Sequence, residues 1–200
     1  MKVKIKKKGK QKVFRLIKSW EDVTLEKWLK LIHFTEGTKS EEAAATIETL
    51  SNIPKQLIME LGLKDIVVIM SKIAELQAEE NSSLKRIIEV EGKEYGFHPD
   101  LDSITLGEYA DLEQFIKLGI EKHLPDVMAV LYRPIVDKTE NGVYTIEAYD
   151  GNITIRAEQM KKMAAQNVQS ALVFFYHFAN VFVMTSQLSL MEKLKEMKGQ

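Results

Sequence analysis

The side chains best suited to proton transfer or metal binding are four histidines, His33, His98, His123 and His177. None stands in an HxH or HExxH arrangement, so the spacing that turns two imidazoles toward one metal is missing. His98 opens the run His98-Pro99-Asp100-Leu101-Asp102, the nearest approach to a ligand cluster. The run lacks the turn glycine and the later glutamate of a calcium loop, and it reads as a loop that caps the next helix. The carboxylate pairs Glu41/Glu42, Glu79/Glu80 and Asp111/Glu113 read as solvated helix faces or first turns. Glu108 lies three residues after Thr105, the capping-box spacing, which explains it better than general-base work. Arg133 closes an apolar helix, where it is expected to pair with an acid such as Glu108 or Asp111. There is no G-x-S-x-G elbow and no G-x-x-x-x-G-K-[ST] or G-x-G-x-x-G phosphate loop. The absence of cysteine removes thiol nucleophiles, disulfides, Cys-ligated zinc and iron–sulfur clusters. Nothing gathers nucleophile, base and orienter, so a non-enzymatic protein with no cofactor or metal is expected.

Charge points elsewhere. The formal net charge of −1 hides an asymmetry, because residues 1–18 hold eight lysines and Arg15 without one acid, a local +9. The rest of the chain carries −10. Lys2, Lys4, Lys6, Lys7, Lys8, Lys10, Lys12 and Arg15 are therefore candidate contacts for an anionic partner: phosphate, anionic lipid or an acidic protein surface. The plainer explanation is a solvent-facing edge strand whose lysines discourage aggregation, since they alternate with Val3 and Ile5. Docking of this segment on the chain's own acidic body is a third possibility. No apolar stretch follows the basic start, so no cleavable signal is expected.

These residues need a scaffold. Two hundred residues, 45% hydrophobic and 28% charged, suit one or two globular domains. The pattern predicts an α+β, helix-dominated chain. Lys2–Lys7 and Lys12–Lys18 read as strands around Gly9-Lys10, followed by a Thr24-capped helix through Ile32. A strand–strand–helix opening is also how a β-grasp domain begins. Further helices are expected from Glu41, capped by Ser40, over Pro54–Leu61 with Gly62 as a stop, and from Lys64 to about Glu80. The last carries an apolar stripe of Ile66, Val67, Met70, Ile73, Ala74 and Leu76. The polar run 79–83 is the best linker, dividing the chain into 1–80 and 81–200 unless the two form one compact domain.

A second hairpin follows, Arg86–Val90 and Glu94–Phe97 around Glu91-Gly92-Lys93. The helix after Thr105 is expected to carry Leu106, Tyr109, Leu112, Phe115 and Ile116 on one face. Another runs from Pro125 to Leu131, ending before Pro134. Val143–Ala148 reads as a strand, Ile153 and Ile155 as a short alternating run, and Arg156–Ala165 as a modest helix. A long helix is expected over about Val168–Met197. Its stretch Ala171–Met184 is too short and, extended, too polar for a membrane span, and reads as buried core, His177 included. Leu190, Leu194 and Met197 continue one face beyond it, suited to packing on this domain or on a neighbouring subunit.

The central segments carry a resemblance. Tyr95–Asp102, Ile104–Tyr109 and Asp111–Glu113 resemble a pattern in small proteins from the structural-gene modules of tailed bacteriophages, the crAss-like group above all. So do Met128–Ile135, Tyr144–Glu147 and Ala171–Tyr176, and Ser19–Thr24 fits more loosely. The resemblance implies a virion structural or packaged protein, or a tail-assembly chaperone. It would act through contacts with capsid, portal or tail proteins, in the virion or in the host cytoplasm during assembly. It transfers no catalytic residue. The alternative function is a nucleic-acid-associated protein using residues 2–18, with no membrane partner and with oligomerisation open.

Overall fold

A computed structural model describes residues 1–7, 10–33, 38–75 and 83–176. Strands β1 (Lys2–Lys7) and β2 (Lys10–Arg15) pair antiparallel into a sheet of their own. Helices α1 (Leu25–His33), α2 (Lys39–Leu50), α3 (Lys55–Ile58) and α4 (Leu63–Ala74) follow. Strands β3 (Ile87–Val90) and β4 (Lys93–Phe97), helices α5 (Leu106–Lys117) and α6 (Leu124–Leu131), and strands β5 (Tyr132–Lys138) and β6 (Tyr144–Ile146) come next. Helix α7 (Thr154–Met160) precedes a helix over residues 165–176, α8. The chain is α+β and opens on the expected hairpin, but its second strand is Lys10–Arg15 rather than Lys12–Lys18, with Lys10 paired to Lys7 instead of lying in the turn.

Strands β3 to β6 form one antiparallel sheet in sequence order. The β3–β4 turn places Glu91 (φ 51°) and Gly92 (φ 79°) both in the left-handed region, the tight-hairpin geometry that matches strand twist. Glycine takes that conformation freely, whereas Glu91 does so only because the ladder on both sides fixes the turn. Helix α6 is the enclosed element: Leu124, Pro125 and Val127 to Leu131 are all buried. It runs directly into β5, because Pro134 forbids helix at Arg133 and the chain extends at once.

Two apolar clusters result. The first gathers Val3 and Ile5 of β1, Leu16, Ile17, and residues of α2 and α4 such as Ile47, Leu50, Ile69 and Ile73. The second surrounds α6 with Tyr95, Phe97, Leu112, Tyr132, Met160 and Met163. Each aliphatic side chain so buried contributes about 1.5–3 kcal/mol. The clusters are laced together. Leu25 belongs to the second and Ala165 to the first, and Trp28 packs against both. Backbone bonds fasten the exchange: Ala165 N–H donates to Val23 (2.7 Å), Leu25 N–H to Met163 (2.8 Å) and Glu26 N–H to Lys161 (2.8 Å).

Several local expectations are revised. Thr38, not Ser40, caps α2, because Thr38 and Glu41 complete a reciprocal capping box. Gly62 is the N-cap of α4 rather than the stop of α3. Val67 is 62% exposed, and Ile69 takes its place in the core. Ile153 and Ile155 begin α7 instead of forming a strand. Over its described part α8 is one-sided, burying Val168, Ala171 and Phe175 while Val173 and Tyr176 face out. Gly9, Lys8, the linker residues 79–82 and the segment 177–200 lie outside the described residues. That segment includes His177, Leu190, Leu194 and Met197.

Candidate functional site

The densest polar chemistry lies where the N-terminus of α5 meets β4 and β5. Thr105 caps α5, its hydroxyl accepting the Glu108 N–H, and the Glu108 carboxylate reaches back to the Thr105 N–H at 2.7 Å. That box turns Glu108 inward, where it is 1% exposed. Its Oε2 also accepts the Thr105 hydroxyl at 2.5 Å. Its Oε1 meets Arg133 Nη2 at 2.5 Å and lies 3.5 Å from His98 Nε2. The Arg133 contact is an ion pair without the alignment of a hydrogen bond, which leaves Oε1 and Arg133 Nε without hydrogen-bond partners. His98 Nδ1 is likewise buried without a partner.

A second layer holds the first. The Arg133 guanidinium stands 5.7 Å over the Tyr149 ring, and the Tyr149 hydroxyl donates to Asp111 in a short bond. Arg156, also buried, bonds Glu147 and the Ala129 carbonyl at 3.1 and 3.2 Å. Burial pulls the Arg133 guanidinium below its ordinary value, with Glu108 opposing. Burial lowers His98 too, against the opposite pull of Glu108, so the imidazole is held toward its neutral form. The Tyr149 phenol is raised by burial and then by its bond to Asp111. Glu108 is thus committed on both oxygens, to a helix cap and to a cation. It acts as a clamp between α5 and β5.

The expected pairing of Arg133 is present and falls on Glu108, while Asp111 serves Tyr149. Asp100 caps the short 3-10 turn Leu101–Ser103 through the Asp102 N–H. Among the described residues no three His, Asp or Glu side chains converge where they could hold a metal ion. The contact of His98 with Glu108 joins residues ten positions apart on different elements, and nothing in their spacing signals it. The capping box was the legible part.

The same clamp sets the rotation of α5. Because Glu108 is drawn inside, the helix buries Glu108 and Leu112, with Phe115 partly covered. Leu106, Tyr109 and Ile116, expected on one face with Leu112 and Phe115, instead face out at 83%, 44% and 39% exposure. With Glu113 they occupy positions i, i+3, i+7 and i+10, one outward line.

The basic hairpin is the other candidate. Its register pairs Lys2 with Arg15, Val3 with Phe14, Lys4 with Val13 and Ile5 with Lys12. Val3 and Ile5 go into the first cluster, so Lys2, Lys4, Val13 and Arg15 share the opposite, exposed face. Among the described residues, Lys2, Lys4, Lys12 and Arg15 form no side-chain ion pair. Lys2, Lys4, Lys12 and Arg15 are exposed. Lys6, Lys7 and Lys10 lie in the strands, their side chains outside the description, as is Lys8 altogether. No helix among the described residues is long and apolar enough to cross a membrane. Comparison with protein families, with curated proteins and with solved structures finds no match.

Proposed function

We propose that this chain is a non-enzymatic structural or assembly protein of a tailed, crAss-like bacteriophage, working through protein–protein contacts. The observation that supports this most is the outward apolar line of α5, Leu106, Tyr109 and Ile116. Large apolar side chains aligned on an exposed helix face suit a contact surface. The line falls inside the segment whose sequence resembles phage structural-module proteins. The commitment of Glu108, Arg133 and Asp111 to internal pairs fits a scaffold better than a reaction centre.

The test is affinity capture of the tagged chain from infected cells, with proteomics of purified virions. A virion or tail-assembly protein is expected to co-purify, and to be lost with Leu106→Ser, Tyr109→Ser and Ile116→Ser combined. A chain found neither in virions nor bound to any such protein defeats the proposal. Presence in virions separates a resident component from a transient chaperone.

A second reading is contact with nucleic acid, favoured by the exposed Lys2, Lys4 and Arg15 on one face. Phosphate contacts predict an affinity that falls steeply with salt. Unchanged affinity for DNA and RNA at low salt after Lys2→Glu, Lys4→Glu and Arg15→Glu would remove it.

A further inference from the structure

A groove runs between α2 and α3 on the flank of the first cluster, with a volume of about 500 Å³. Ala44 and the buried Ala45 give it a low apolar floor, and Met59, 71% exposed, stands as an apolar wall. Glu41 and Glu48 on the α2 side set two carboxylates against the single cation of Lys55. Small residues over a turn and a half of helix let another backbone approach closely, and the surrounding charge selects a cationic visitor. Among the described residues nothing fills the groove.

The complement stands on the same chain. On the outer face of β1–β2 the exposed Val13 is directly opposite Lys4 and flanked by Lys2 and Arg15. One apolar knob ringed by cations matches one apolar slot rimmed by carboxylates. The aliphatic stems of lysine and arginine add apolar cover while their heads reach the rim. Among the described residues the hairpin's inner face is packed in the first cluster while Lys2, Lys4, Val13 and Arg15 on its outer face are exposed, so none of them covers knob or slot. The +9 of residues 1–18 against −10 elsewhere gives two copies a long-range attraction in this orientation.

We infer that the β1–β2 hairpin of one copy docks through Val13, Lys2, Lys4 and Arg15 into the α2–α3 groove of a second copy. The two surfaces differ, so the contact is heterologous: it closes as a reciprocal pair or ring, or it continues as an open chain. The inference goes beyond the assembly role proposed above and does not depend on a phage partner.

The full chain should self-associate in sedimentation velocity, with mass rising with concentration. The association should weaken at least about tenfold from about 0.1 M to about 1 M salt, as the Debye length falls from about 10 to about 3 Å. Two variants separate the halves of the contact. Lys2→Glu/Lys4→Glu/Arg15→Glu removes the knob's charge, and Glu48→Lys/Met59→Lys blocks the slot; all five positions are exposed. Each variant alone should be monomeric with an unchanged far-UV spectrum. Their mixture should give a one-to-one complex, because each retains the half the other lacks. A wild-type chain that is monomeric at every salt and concentration overturns the inference. So does self-association that either variant retains, or a mixture that stays monomeric. Binding of a DNA or RNA oligonucleotide by a strictly monomeric wild type would also overturn it, leaving the hairpin to nucleic acid.

Discussion

Gly96 is the position where the packing of the larger sheet can be tested most sharply. It sits on β4 between Ile87 of β3 and Arg133 of β5, so its backbone is held from both sides. The Tyr144 ring reaches across from β6 and lies on it. A Cβ at Gly96 would stand 2.7 Å from Tyr144 Cδ2 and 2.8 Å from Ile146 Cγ2, closer than carbon atoms pack. The ring cannot simply retreat, because the Tyr144 hydroxyl donates to the Phe97 carbonyl at 2.7 Å, with the Arg86 carbonyl 3.1 Å away. Overpacking of this kind costs about 1–3 kcal/mol, and loss of the hydroxyl's bond about 1 kcal/mol more. The reduced freedom of alanine in the unfolded chain returns about 0.4–1 kcal/mol. Gly96→Ala should therefore destabilise by about 1–3.5 kcal/mol. Urea unfolding followed by tryptophan fluorescence measures this, with Trp28 packed against both clusters and Trp20 against the first as the reporters. In a Tyr144→Ala background the ring is gone and only Ile146 is left to give way, so the same substitution should cost about 1 kcal/mol or less. A cost within about 0.5 kcal/mol in the parent chain, or equal costs in both backgrounds, would refute the account.

Glu108→Leu should cost about 3–5 kcal/mol by leaving the buried Arg133 charge unpaired, with the lost cap adding about 1 kcal/mol. Glu108→Leu with Arg133→Met should recover most of the first cost, and denaturant midpoints of the two single variants and the double decide this. His98 is held toward neutrality, so below its ordinary value of 6.5 the unfolded chain takes up a proton that the folded chain resists. Stability should then fall as pH drops from about 7 to about 5.5, and His98→Gln should flatten that slope in pH-dependent melts. Leu106→Ser, Tyr109→Ser and Ile116→Ser should together shift stability by no more than about 1 kcal/mol, because exposed positions contribute little. A larger loss in thermal unfolding would show that the α5 line is covered by the chain itself.

What the sequence reveals depends on how local the cause is. Both hairpins, the Thr105–Glu108 box and the Thr24 cap are set by residues within a few positions of one another, and all are present. Thr38 with Glu41 is the same box and equally legible, although Ser40 next to the acids draws the eye first. The rotation of α5 was not legible. Its apolar residues suit either face, and the choice is made by Arg133, which arrives on a strand after another helix. The capping role of Gly62 also needed tertiary packing to appear, since a glycine between two helical patterns serves either one. Of the candidate contacts, alternation correctly placed Lys2 and Lys4 in solvent, because β1 buries only Val3 and Ile5.

The exchange between the two clusters bears on how the chain is made. Val23 and Leu25 leave the ribosome early, while Ala165 and Met163, which bond and cover them, emerge only after most of the chain is synthesised. Until then the first cluster lacks a wall, and Leu25 has no cluster to enter. The hairpin and α1 to α4 must wait as an incomplete body with apolar surface exposed. Closure of both clusters is therefore a late event, set by the synthesis of the segment that carries Met163 and Ala165.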